Sequence, residues 1–165
     1  MSAGALSVAA VLFAQGDTPP TLKLRVQTPA VLVNTPIKAL LTVTFATGLH
    51  GYQNPPSDPT NIPLTVSLGD KTFSIVSVGY PKGTPMKVAG ESKPINVYQG
   101  TISIPVTLKG PMKAGTFPVK FAVRYQQCNA MSCFQPSTLN ATGSVIIADK
   151  RGHKVPKLGL AHMGR

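Results

Sequence analysis

The chain has 165 residues, 42% of them hydrophobic and only 13% charged, enough for one domain with a core of its own. Sixteen basic side chains against five acidic ones give a net charge of +11, and so few scattered carboxylates leave acid–base hydrolysis little material. There is no glycine-rich phosphate loop, nucleophile elbow or His-Glu-x-x-His, and no basic run interleaved with aromatics, so the charge reads as a solvated surface suited to anionic membranes or acidic partners rather than to nucleic acid.

In chain order, residues 1–16 stand apart. Leu6 and the run Val8–Ala14 form a short apolar stretch, and Ala14-Gln-Gly16 has the small residues of a cleavage site. The first basic residue is Lys23, so the segment lacks a positive start, and an apolar first strand is the competing reading. The run falls short of the roughly 20 residues a membrane span needs, and no longer one follows. Read as a leader, it places the chain outside the cytoplasm, in the periplasm or an equivalent space, where disulfides persist.

Residues 17–148 read as the domain. Leu22–Gln27 alternates, and Ile37, Ala39, Leu41, Val43 and Phe45 face one way while Lys38, Thr42 and Thr44 face the other. Gly48 to Pro63 is a long loop with four prolines that carries His50 and Tyr52. Leu64–Leu68, a Gly69-Asp70 turn and Phe73–Val78 read as a hairpin, Pro81 to Pro94 as a turn-rich loop, and Ile102, Ile104, Val106 and Leu108 as another strand. No sustained helical period appears. Roughly seven to nine short strands imply an all-β, two-sheet antiparallel sandwich. Residues 149–165 form a basic, Gly- and His-containing tail without alternation.

The only two cysteines, Cys128 and Cys133, are separated by Asn129-Ala-Met-Ser132. Val119, Phe121, Val123 and Tyr125 alternate before them, and Leu139, Ala141, Val145 and Ile147 follow. A four-residue connection makes a hairpin, which sets the cysteines opposite each other. Opposed residues have Cα atoms roughly 4.5–5.5 Å apart, within the span a disulfide bridges. Such a bond closes a short loop and stabilises less than a long-range bridge. It is a structural staple or a reactive pair; a free pair and a metal site are further readings, the latter weakened by the absence of a second Cys or His pair nearby.

Tyr125-Gln126-x-Cys128-x-x-x-x-Cys133-x-x-Pro136 resembles the signature of the amino-terminal domain of the thiol:disulfide interchange protein DsbD, a family of disulfide bond corrector-like domains. Gly48-Leu-His-Gly-Tyr52 with Asn54-Pro-Pro56 is similar to a second segment of that family, and Tyr80-Pro81-x-Gly83 with Tyr98-x-Gly100 agrees loosely with a third. The similarity runs over about residues 40–147. Departures are Gln135-Pro136 in place of Pro-Pro, Leu49 in place of an aromatic, and a loop Lys87–Glu91 without the family's capping Phe.

The resemblance implies an immunoglobulin-like fold and a redox-active pair. Cys133 would exchange with thioredoxin-like proteins and Cys128 would resolve the mixed disulfide, with reducing equivalents supplied by a membrane-embedded thiol donor. The activity implied is that of a protein-disulfide reductase component, without a cofactor. Supporting positions are Tyr125, more a core residue than a catalytic one; Gln126, able to hydrogen-bond the loop; His50, a base if its loop folds over the hairpin; and Tyr52 and Pro136. Val88 of the 86–91 loop and Tyr98 would cover the pair. Arg124 is placed to favour a thiolate or simply to face solvent. The competing function is a non-catalytic immunoglobulin-like binding module with a structural hairpin disulfide. A third is copper handling through Cys128, Met131 and Cys133.

Overall fold

The computed structural model describes residues 18–88 and 92–149. The leader at 1–16, residues 89–91 of the expected turn-rich loop, and the tail beyond Asp149 lie outside the described residues. Twelve strands and no helix make up the rest. They are β1 (Thr21–Val26), β2 (Ala30–Leu32), β3 (Ile37–Thr44), β4 (His50–Tyr52), β5 (Thr65–Leu68) and β6 (Ser74–Val78), followed by β7 (Thr84–Met86), β8 (Ile95–Gln99), β9 (Thr101–Lys109), β10 (Gly115–Tyr125), β11 (Gln127–Cys128) and β12 (Ser137–Ala148).

Two four-stranded sheets form the sandwich. One runs β1-β3-β9-β6 and the other β2-β12-β10-β5. Pairings within them are antiparallel except β2 with β12. The period-2 pattern decides which side chains go inward. Ile37, Ala39, Leu41 and Val43 of β3 and Ile104, Val106 and Leu108 of β9 are buried from one sheet. Val119, Phe121, Val123 and Tyr125 of β10 and Val145 and Ile147 of β12 meet them from the other. Each fully buried Val, Leu, Ile or Phe removes enough apolar surface from water to contribute about 1.5–3 kcal/mol, the main force holding the layers together.

β5 and β6 do not form the expected hairpin. β5 pairs with β10, matching Leu68 to Phe121, whereas β6 pairs with β9. The reason is Phe73: it is buried in the core beside Phe117, so the chain crosses between the layers there instead of reversing within one. The Gly69-Asp70 turn starts the crossing, with the Asp70 carboxylate accepting from the Thr72 amide at 3.0 Å.

A third sheet, β11-β4-β8-β7, sits at one end of the sandwich. Three of its strands are close continuations of sandwich strands. β4 follows β3, β8 precedes β9 across Gly100 at φ 56°, and β11 follows β10 after Gln126. The loops expected at 48–63 and 81–94 therefore hold two short strands, β4 and β7, and β8 starts directly after the second.

Candidate functional site

The cysteines lie where β10 hands over to the third sheet. β10 and β12 are a long antiparallel pair whose last match is Tyr125 with Ser137, so the whole connection runs from Gln126 to Pro136. The expected four-residue loop is a smaller hairpin inside it. Cys128 and Cys133 form an isolated antiparallel bridge and are joined by a disulfide, their Cα atoms 4.0 Å apart. The Phe134 amide donates to the Gln127 carbonyl at 2.8 Å and the Asn129 amide to the Ser132 carbonyl at 2.9 Å. Within the tip, the Asn129 carboxamide oxygen accepts from the Met131 and Ser132 amides, both at 2.8 Å, a local turn that asparagine forms readily. Gln126 closes the base, its Nε2 donating to the Phe134 carbonyl at 3.1 Å.

Register then decides what the pair sees. Cys128 is opposite His50, Tyr52 is opposite Val97, and Met86 is opposite Ile95. Side chains of paired residues share a face, so Cys128, His50, Tyr52, Val97, Ile95 and Met86 line one side of the third sheet. Tyr52, Ile95, Val97 and Cys128 form a buried cluster of their own, with half-buried Met86 and Val88 packed against it. Met86 and Val88 thus pack against the same cluster that holds Cys128.

Tyr98 is on the other face. It is opposite Gly51, packs in the main core, and does not cover the pair as expected. Its hydroxyl donates to the Pro81 carbonyl at 2.8 Å and accepts from the Asn54 amide at 3.2 Å, and burial pushes its pKa up. It anchors the loops behind the site. Tyr125 is also a core residue, edge-on to Phe45 at 6.5 Å between centroids. Gly51 lets these layers close: a Cβ there would stand 2.7 Å from Phe45 Cζ.

Tyr52 reaches both sulfurs. Its hydroxyl oxygen is 3.3 Å from Cys133 Sγ and 3.5 Å from Cys128 Sγ. A disulfide sulfur carries no proton, so the phenol is the donor in these contacts. His50 has no exposed surface, stands edge-on to Tyr52 at 6.2 Å between centroids, and has its pKa lowered by burial. The two cysteine residues differ sharply in burial. Cys128 is fully buried whereas Cys133 is exposed. Pro136, half-buried, leads into β12. Arg124 points to the outer face of its sheet between Thr65 and Thr138, and Met131 is 91% exposed at the tip. Among the described residues no group of three or more His, Cys, Asp or Glu is arranged to hold a metal ion.

Ile95, Val97 and Asn129 complete the site without having been candidates in the sequence. The first two carry a visible signal, the alternation in Ile95-Asn-Val97 after Pro94. Asn129 at the first position of a four-residue tip is a turn-former by chemistry alone.

The sequence model of the family described as thiol:disulfide interchange protein DsbD, N-terminal, matches residues 20–143. The chain belongs to this DsbD N-terminal domain family. Among solved structures, the N-terminal periplasmic domain of ScsB from Proteus mirabilis is similar at TM-score 0.55 and 17% identity, over 78% of this chain and 48% of that one. This chain therefore spans about half of that protein's chain. The reduced DsbD N-terminal domain of Neisseria meningitidis is similar at TM-score 0.47 and 15% identity, over 66% of this chain and 80% of that one. No curated protein matches the chain. The DsbD-type domain described here is all-β, an immunoglobulin-like sandwich with a disulfide in its family's signature loop.

Proposed function

We propose that this DsbD-type domain is a thiol–disulfide exchange module, the reductase component of an extracytoplasmic relay. It takes reducing equivalents from a membrane-embedded thiol donor and hands them to thioredoxin-like partners through Cys128 and Cys133. The observation that carries the reading is the unequal burial of the two cysteine residues, Cys133 exposed and Cys128 fully buried. Exchange requires a thiolate to approach one sulfur and the other to stay close enough to resolve the intermediate. A donor thiolate attacks Cys133 Sγ, the Cys128–Cys133 bond breaks, and its electron pair leaves on Cys128. A second donor thiol then releases the dithiol. Toward an oxidised partner the order reverses: Cys133 thiolate attacks the partner's disulfide, and Cys128 attacks Cys133 to expel the partner's reduced sulfur.

Membership in the DsbD N-terminal family supports the chemistry, and the periplasmic description of the ScsB domain supports the location. The test is equilibration in glutathione buffers together with trapping by a Cys128→Ala variant. The reading expects a potential above about −300 mV, the upper edge for inert structural bridges, and a mixed disulfide through Cys133. A potential well below that value with no trapped adduct leaves a binding module with a stapled hairpin.

A further inference from the structure

Among the described residues, neither ring nitrogen of His50 has a hydrogen-bond partner, although the side chain has no exposed surface. A buried polar group left unpaired is costly, and each instance calls for a physical reason. The polar neighbours on its face are engaged elsewhere: the Tyr52 hydroxyl lies at the sulfurs, and Gln99 Nε2 is 3.6 Å from Met86 Sδ. Two side chains lie directly across from it, the exposed Gln99 on β8 and the buried Cys128 on β11. Opposed side chains have Cβ atoms roughly 4.5–5.5 Å apart, near enough for a ring nitrogen to reach a sulfur.

We propose that His50 is the hydrogen-bond partner held in reserve for Cys128 in the reduced protein. While the disulfide is intact, Cys128 has no proton to give and its sulfur is a poor acceptor, so His50 stays unpaired. Reduction makes Cys128 a thiol buried in an apolar cluster of Tyr52, Ile95 and Val97. A neutral imidazole carries one donor and one acceptor nitrogen. It accepts from the Cys128 thiol, and it donates to the Cys128 thiolate when that ion forms as leaving group or resolving nucleophile. Burial keeps the ring neutral, and so competent in both roles. One polar group is therefore unsatisfied in the disulfide state and satisfied in the dithiol state, which shifts the couple toward the dithiol and makes the domain a better electron acceptor.

The inference rests on the exchange reading and is separable from it. In the wild-type protein, ¹⁵N resonances of the His50 ring are expected to move to hydrogen-bonded positions on reduction; unchanged resonances overturn the proposal. In glutathione buffers, His50→Phe is expected to shift the equilibrium about tenfold toward the disulfide, roughly 30 mV for this two-electron couple. An unchanged potential in a folded His50→Phe also overturns it while leaving exchange intact. If that variant fails to fold, the wild-type resonances decide. A wild-type disulfide that never equilibrates with glutathione refutes the exchange reading itself.

Discussion

The Tyr52 hydroxyl sits between the two sulfurs, 3.3 Å from Cys133 Sγ and 3.5 Å from Cys128 Sγ, from the middle of a family of side chains that is otherwise apolar. Whichever sulfur carries the negative charge during exchange, the same phenol is at hand to donate to it. A hydrogen bond to a charged group contributes about 1.5–3 kcal/mol, more than one between neutral groups. Tyr52→Phe keeps the ring in its packing position and removes only that donor. The variant is expected to stay folded and to be reduced by dithiothreitol roughly tenfold more slowly, with the pKa of the ionising thiol raised. Stopped-flow reduction and thiolate absorbance against pH measure both. Equal rates and equal thiol pKa values in the two proteins would remove Tyr52 from the chemistry.

The burial difference makes a separate prediction about the single-cysteine variants. Cys128→Ala leaves Cys133 as an exposed thiol on a loop tied down by Asn129 and Gln126. Cys133→Ala leaves Cys128, which has no exposed surface in the disulfide form, in the cluster against which Met86 and Val88 pack. Alkylation is expected to be at least about tenfold faster for the first, because reactivity follows thiolate character and access. Mass spectrometry over an iodoacetamide time course reads the ratio. Comparable rates would show that the cluster opens freely and that access does not choose the attacking sulfur.

The sandwich was legible because its strands are long. Ile37–Phe45, Ile102–Leu108 and Val119–Tyr125 each repeat the inward-outward alternation several times, and inward residues of all three are buried. The third sheet was not legible, although it carries the site. β4 has three residues and β11 two, too few for an alternation to show; β4 falls in the proline-rich stretch 48–63 and β11 at the mouth of the cysteine hairpin. The placement of Tyr98 failed for the same reason. Its face depends on its pairing with Gly51, and no strand had been assigned there. The β5–β6 hairpin failed differently: local turn chemistry at Gly69-Asp70 was outweighed by core burial of Phe73. The cysteine pairing succeeded because it needed only the local geometry of six residues.

Gly51 links this small sheet to the core, and its replacement tests that link. The glycine pairs with Gln127 on one side and Tyr98 on the other, between His50 and Tyr52. An added methyl would stand 2.7 Å from Phe45 Cζ and 3.0 Å from Phe45 Cε1, so the ring must shift, and it is itself packed edge-on against Tyr125. Gly51→Ala is expected to cost about 1–3 kcal/mol, the usual range for overpacking a core. A lowered urea midpoint at unchanged slope is the expected result. Unchanged stability would mean that Phe45 has room to turn away. Reduction kinetics of the same variant show how far the core reaches into the site.

His50 also sets a pH dependence for the oxidised protein, and its sign follows from the direction of its shift. Burial lowers its pKa in the folded state from the ordinary 6.5, so in the unfolded chain the ring takes up a proton at a higher pH than in the folded one. Above 6.5 both states are neutral and the group has no effect. Below it the unfolded state binds more protons, so stability falls as pH falls, until the folded-state pKa is passed. One such group gives a slope of at most about 1.4 kcal/mol per pH unit. Asp58 and Asp70, held below 3.8 by hydrogen bonds from Thr60 and Thr72, act only at lower pH and leave this window clear. Urea denaturation between pH 7.5 and roughly 5 is therefore expected to show a decline in the wild type that His50→Phe flattens. A decline of equal slope in both proteins would assign it to other groups and would place the His50 ring in contact with water.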